Sequence, residues 1–181
     1  MDNRCIDAHH HLWRYLPRAP AWMDEAMEAL RHDFLLHDLR TVTSEAGITG
    51  TIVVETERTV AETEWLSRVG ASSDLICGVV GWAPLTIPGV VAELERIANL
   101  PKMKAIRHPI HDEPNDQFVL REDFNRGIAE LKHFDLGYEI LIFEKHLPQA
   151  VQFVDRHPNY SYSGAHTLVS SNTPHRYAGA S

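Results

Sequence analysis

Ile6-Asp7-Ala8-His9-His10-His11-Leu12-Trp13 carries the first apolar stretch of the chain, 5–9, into a run of three histidines. Successive side chains of an extended strand point to opposite faces, so His9 and His11 share one face and His10 takes the other. Two imidazoles on one face, at the carboxyl end of a first strand, can chelate a divalent ion or clamp an oxyanion. The run sits between an apolar strand and an aromatic residue, which is not how an affinity tag is placed.

Four further β-rich apolar runs follow, at 51–55, 76–82, 103–107 and 137–142, giving five candidate strands. Amphipathic stretches separate them. Leu36, Leu39, Val42 and Ala46 recur at helical spacing and stop at Gly47, a natural left-handed cap. Val90, Val91, Leu94, Ile97 and Ala98 repeat the pattern after Pro88, Phe124, Ile128 and Leu131 form a third stripe, and Leu147, Ala150, Val151 and Val154 a fourth. A weaker helical pattern covers 59–69, anchored by Trp65 and Leu66. Strands alternating with helices predict an α/β fold of βα units on a parallel sheet.

The candidate strands are apolar along their length and polar at their carboxyl ends, where His9, His11, Glu55, Arg107 and Glu139 lie. In open α/β sheets and in (β/α)₈ barrels, ligands bind at that edge because the loops that follow the strands converge there. Arg107 offers a planar fork that can hold a carboxylate through two hydrogen bonds. His108 alternates to the opposite face and reads as structural. His32, His37, His111, His133, His146, His157 and His175 have no spacing that pairs them, and are read as surface or core residues. No nucleophilic serine or cysteine motif and no phosphate-cradling glycine loop is present, which disfavours a covalent mechanism and a nucleotide cofactor.

Composition bounds the rest. A chain of 181 residues is one domain with a sizeable core, and its formal charge of −8 leaves no basic stripe for a nucleic acid. No apolar run is long enough to span a bilayer, and the polar amino terminus does not resemble a secretory signal, so no membrane partner is expected and the cytoplasm is the expected location. Cys5 and Cys77 both fall in predicted strands and are read as buried thiols; two cysteines exclude a disulfide scaffold.

Ile6-Asp7-Ala8-His9-His10-His11-Leu12-Trp13 resembles the first-strand motif of the amidohydrolase superfamily, in its lactonase-like, amidohydrolase-related branch, which includes 2-pyrone-4,6-dicarboxylate lactonase and sugar lactonases such as fuconolactonase. Further matches keep chain order: Asp33-Phe34-Leu35 with Asp38-Leu39-Arg40, the run 46–55 ending in Glu55, Gly81-Trp82-Ala83, Lys104-Ala105-Ile106-Arg107-His108, and Leu147-Pro148-Gln149-Ala150 with His157-Pro158-Asn159.

The resemblance implies a distorted (β/α)₈ TIM-type barrel that hydrolyses a cyclic ester, a lactone of a sugar acid or of a dicarboxylate. His9, His11 and Arg107 become catalytic candidates. Glu55, Arg107 and Glu139 become substrate-binding candidates for a small lactone or carboxylate. The histidine pair either ligates one divalent ion, zinc first, or polarises the lactone carbonyl where the ion is absent, since members of the branch differ in needing it.

A complete barrel takes ~250 residues, so this chain is expected to be C-terminally truncated, with about five or six βα units: a partial barrel over 1–159 and an atypical tail over 160–181, read as a truncated or frame-shifted sixth strand. Counted without gaps from His157-Pro158-Asn159, His166 falls on the family's sixth-strand histidine, a third candidate metal ligand and catalytic residue. After Asp155 there is no acidic residue, so the family's last-strand aspartate, its proton acceptor, has no counterpart. Two other readings stand beside the lactonase: a decarboxylase of the same superfamily, and an inactive remnant that binds a metal or a small acid. An incomplete barrel leaves an unpaired edge and an uncovered face, which predicts lowered stability or a homo-oligomer.

Overall fold

The computed structural model describes residues 4–15, 25–158 and 160–164. Six strands, β1 (Ile6–His11), β2 (Gly50–Val54), β3 (Ile76–Gly81), β4 (Met103–Pro109), β5 (Gly137–Leu141) and β6 (Tyr162–Gly164), form one sheet in chain order, every neighbouring pair parallel. The crossovers carry α1 (Leu36–Glu45), α2 (Val60–Ala71), α3 (Val90–Ala98), α4 (Glu122–Leu131) and α5 (Leu147–Arg156). This is the parallel sheet of βα units that the alternation of strand and helix patterns predicts, and the incomplete (β/α)₈ architecture that the family resemblance implies. β6 lies in the segment 160–181 that composition sets apart, and it continues the sheet beside β5 through Tyr138↔Tyr162 and Glu139↔Ser163.

Alternation along each strand divides the polar ends from the core. On the helix-covered face, Val53, Leu66, Ile76 and Val79 pack with Leu39 under α1 and α2, while Ile106 and Tyr138 pack with Leu94, Phe124, Ile128 and Phe153 under α3 to α5. The opposite face carries a smaller apolar layer of Val54, Val80 and Ala105, flanked by Ile52, with no helix residue in it among the described residues. One step further along the strands, that same face presents the charged side chains.

Helix boundaries follow local chemistry. α1 ends at Gly47, whose φ of +69° is a conformation that glycine adopts without strain. α2 is a full 12-residue helix although its apolar signal is weak. Its buried face is built from Thr63, Leu66, Ser67 and Gly70, and the polar members are paired: Thr63 Oγ1 accepts from Trp82 N–H at 2.8 Å, and the Ser67 hydroxyl donates to the Pro101 carbonyl at 2.8 Å. The helix sits so close to β3 that a Cβ on Gly81 would lie 2.4 Å from Thr63 Cγ2.

The cysteines correct the sequence expectation. Cys5 precedes β1 and Cys77 lies within β3, and both are exposed free thiols. Cys77 stands at a register shift between β2 and β3, where its Sγ would be 2.7 Å from a Cβ on Gly50, so it faces the amino-terminal end of the helix-free face instead of the core under the helices.

Candidate active site at the carboxyl edge of the sheet

Four strands deliver the five charged or imidazole groups singled out above to one place, on the helix-free face. Arg107 on β4 stands opposite Glu139 on β5 in the parallel register. Glu55 follows the last residue of β2 and is tied to β3 by its N–H donating to the Val80 carbonyl at 2.9 Å. His9 and His11 come from β1, shaped by a bulge between Asp7 and His10 in which Asp7 Oδ1 accepts from the His9 N–H at 3.1 Å. His10 turns to the other face, with its Nε2 3.0 Å from Thr51 Oγ1.

Arg107 is the hub, 4% exposed. Its Nε donates to Glu55 Oε1 at 2.8 Å and its Nη2 to the Glu55 carbonyl; Nη1 donates to Glu139 Oε1 at 3.4 Å and lies 3.3 Å from His9 Nε2. Glu55 and Glu139 are 1% and 4% exposed, so two carboxylates and one guanidinium share a dry site. Burial raises the pKa of both glutamates, and the Arg107 charge works against the rise.

The imidazoles are deprotonated at neutral pH. Burial, reinforced by the Arg107 charge, holds His9 at about 4 and His11 at about 3. Their tautomers follow from their partners. His11 Nδ1 lies 3.0 Å from the Val54 carbonyl, which only accepts, so Nδ1 carries the proton and Nε2 a lone pair. His9 Nε2 faces the guanidinium, which only donates, so Nε2 carries the lone pair and Nδ1–H points to Glu139 Oε1 at 3.5 Å. The two Nε2 atoms are 3.2 Å apart. Two acceptor nitrogens therefore lie side by side beside the guanidinium, with no proton on either.

That convergence fits two positions in the coordination shell of a divalent ion, with Glu139 acting on His9 as carboxylates do on metal-binding histidines. Among the described residues no group of three His, Cys, Asp or Glu side chains could hold a metal. His166, the third expected ligand, lies outside the described residues.

The amidohydrolase family model matches residues 6–167, nearly the whole chain. The chain belongs to the amidohydrolase family. Among curated relatives, an L-fucono-1,5-lactonase of Burkholderia multivorans is 33% identical over 167 residues, 91% of this chain and 53% of that one. A second L-fucono-1,5-lactonase, of Burkholderia ambifaria, is 29% identical over 153 residues, 84% of this chain and 53% of that one. This amidohydrolase thus spans about half the length of the curated relatives it matches. A crystal structure of a Burkholderia multivorans amidohydrolase with bound zinc superposes with a TM-score of 0.82 at 31% identity, over 89% of this chain and 57% of that one.

His108 lies on the opposite face, as its alternation predicts, but the polar partners of His108 and His146 in this amidohydrolase escaped the sequence reading. His108 accepts at Nδ1 from the Trp82 indole N–H at 3.3 Å and donates from Nε2 to Glu113 at 2.7 Å, while Arg58 also donates to Glu113 at 3.2 Å. His146, fully buried, donates to Asp116 at 3.1 Å and so clips the loop after β4 to the loop after β5. Nothing in their spacing signals these pairs, because each partner comes from a loop whose path is set by tertiary packing. Trp13 packs against Phe34 at 4.4 Å between ring centroids.

Proposed function

We propose that this chain supplies the carbonyl-polarising and substrate-holding part of a lactone hydrolase acting on a cyclic ester of a sugar acid or dicarboxylate. The observation that carries the reading is the convergence of the His9 and His11 lone pairs beside the Arg107 guanidinium, at the sheet edge where α/β enzymes bind ligands. The curated relatives, both L-fucono-1,5-lactonases, point to the same chemistry. A small-molecule lactone as partner and the cytoplasm as location go with this reading.

Ester hydrolysis by water needs a polarised carbonyl, a stabilised oxyanion and a proton acceptor. Arg107 is held on one side by Glu55 and presents Nη1 toward the histidine pair, where it can donate to a ring hydroxyl, a carboxylate or the developing oxyanion. Glu55 and Glu139 keep the guanidinium oriented, and Glu139 Oε1 stands 3.5 Å from His9 Nδ1. His9 and His11 would hold a divalent ion, zinc by analogy with the Burkholderia multivorans structure, with His166 as the proposed third ligand. Such an ion, when bound, polarises a carbonyl oxygen and acidifies water. Both glutamates are engaged by Arg107, so neither is assigned as the proton acceptor.

The test is hydrolysis of a panel of sugar 1,5-lactones and of 2-pyrone-4,6-dicarboxylate by the chain and by its His9→Ala and Arg107→Ala variants, with and without added zinc. Ring opening that is lost in both variants supports the proposal. Carbon dioxide release without ester cleavage would replace it with a decarboxylase, and ligand or zinc binding without turnover across the panel with a binding remnant.

A further inference from the structure

The loop between β2 and α2 holds a buried carboxylate that the site above does not use. Glu62, in the first turn of α2, is 8% exposed. Its oxygens accept from the Thr56 N–H at 3.0 Å, from the Glu57 N–H at 2.6 Å, and from the Thr56 hydroxyl. All three donors belong to the two residues that directly follow Glu55. The helix cap is a separate matter: Glu62 N–H donates to the Thr59 hydroxyl at 3.1 Å, a bond that does not involve the carboxylate.

The link from Glu62 to Arg107 runs through a single peptide group. The Glu55 carbonyl and the Thr56 N–H are the two ends of one planar trans unit, pointing in opposite directions. The carbonyl accepts from Arg107 Nη2, and the N–H donates to Glu62. A rotation of that plane moves both ends at once. A carboxylate drawing on the N–H also polarises the carbonyl and strengthens it as an acceptor for the guanidinium.

We infer that Glu62 is a positioning residue that fixes the Arg107 guanidinium against the His9 and His11 pair through the Glu55–Thr56 peptide. Its functional value rests on the reading of Arg107 as the substrate-facing cation, whereas the geometry is testable without turnover. Burial raises Glu62 to about 7, the three donated hydrogen bonds oppose the rise, and the Glu55 charge adds to it. A glutamine at this position has one acceptor oxygen and an amide NH₂, so it cannot serve all three donors.

The experiment is ¹⁵N NMR of the chain and its Glu62→Gln and Thr59→Ala variants, following the Arg107 Nε–H resonance and the exchange rates of the Thr56 and Glu57 amides. Glu62→Gln is expected to accelerate those amides about tenfold, the worth of a hydrogen bond to a charged group, and to shift the Arg107 resonance. Thr59→Ala loosens the helix cap alone and is expected to leave Arg107 in place. If Glu62→Gln does not fold, Glu62→Asp, which keeps the charge on a shorter arm, is expected to shift Arg107 as well.

An Arg107 resonance unmoved while Thr56 exchanges faster reduces Glu62 to a loop staple and overturns the inference. An equal Arg107 shift in Thr59→Ala also overturns it, by making the effect a general loosening. Where the chain turns over a lactone, Glu62→Gln lowers kcat/KM about tenfold and Thr59→Ala does not. Absence of lactone turnover in the unmutated chain counts against the proposed function, and the NMR comparison still decides the role of Glu62.

Discussion

Arg107 and His108 are neighbours on β4, both buried, and each ends in a polar cluster, yet the two clusters are built differently. On the helix-covered side, Trp82, His108, Glu113 and Arg58 form a closed chain in which His108 accepts through one ring nitrogen and donates through the other. The His108 ring also lies flat on Phe118, 4.9 Å between centroids. On the helix-free side, Arg107 pairs with Glu55 and Glu139 and meets His9 Nε2, while the acceptor His11 Nε2 is left 3.2 Å from His9 Nε2, facing a second acceptor instead of a donor. A polar cluster that uses up its own donors and acceptors serves the fold. One that ends in converging acceptors is arranged for something else to occupy the gap, and burial alone does not distinguish the two.

Replacing Arg107 with methionine should have the largest effect. It leaves Glu55 and Glu139 buried without a countercharge, at a cost of about 3–5 kcal/mol in urea unfolding, and it removes lactone turnover. A smaller stability loss than that of the His108 variant below would erase the contrast between the clusters. His9→Ala comes next: hydrolysis should fall by about 10²-fold or more, while the melting temperature changes little, because His9 is on the exposed side of the cluster. His108→Ala should do the reverse, costing about 1–3 kcal/mol for the partners it leaves unpaired, with lactone KM unchanged.

The remaining prediction is a pH dependence. His9 and His11 are held at about 4 and about 3, below their ordinary value of 6.5, so between these limits the unfolded chain binds more protons than the folded one. Their contribution to stability is complete above 6.5 and is lost as pH falls toward 3. Denaturation midpoints measured in chelator-containing buffer should drop over that window, and less steeply in His11→Ala. A flat profile would place the imidazoles in water and break the comparison from the other side.

The sequence carried much of this because strands announce themselves twice, by apolar content and by what stands at their ends. The alternation that separates His9 and His11 from His10 is a property of extended backbone and needs no tertiary information. α2 was faint for a physical reason: its buried face holds Gly70 with Thr63 and Ser67, and the burial of those two hydroxyls depends on hydrogen bonds to Trp82 and Pro101 that no periodicity reveals. Cys77 was misplaced because a one-residue register shift moves a strand position to the other face. Glu55 and Glu139 could be placed at the right edge one at a time. Their joint hold on Arg107 required knowing the strand order and register that set Arg107 opposite Glu139 and within reach of Glu55.

Strand order that equals chain order also means that the sheet can assemble as it is synthesised. Each new strand pairs with the one made just before it, so β1 to β4 can dock in turn while later segments are still being added. The two imidazoles arrive first and Glu139 last, 130 residues after His9 by their numbering. Until β5 emerges, Arg107 has the Glu55 carboxylate but not that of Glu139, so the full set of charges comes together only once the strands beneath it have been made.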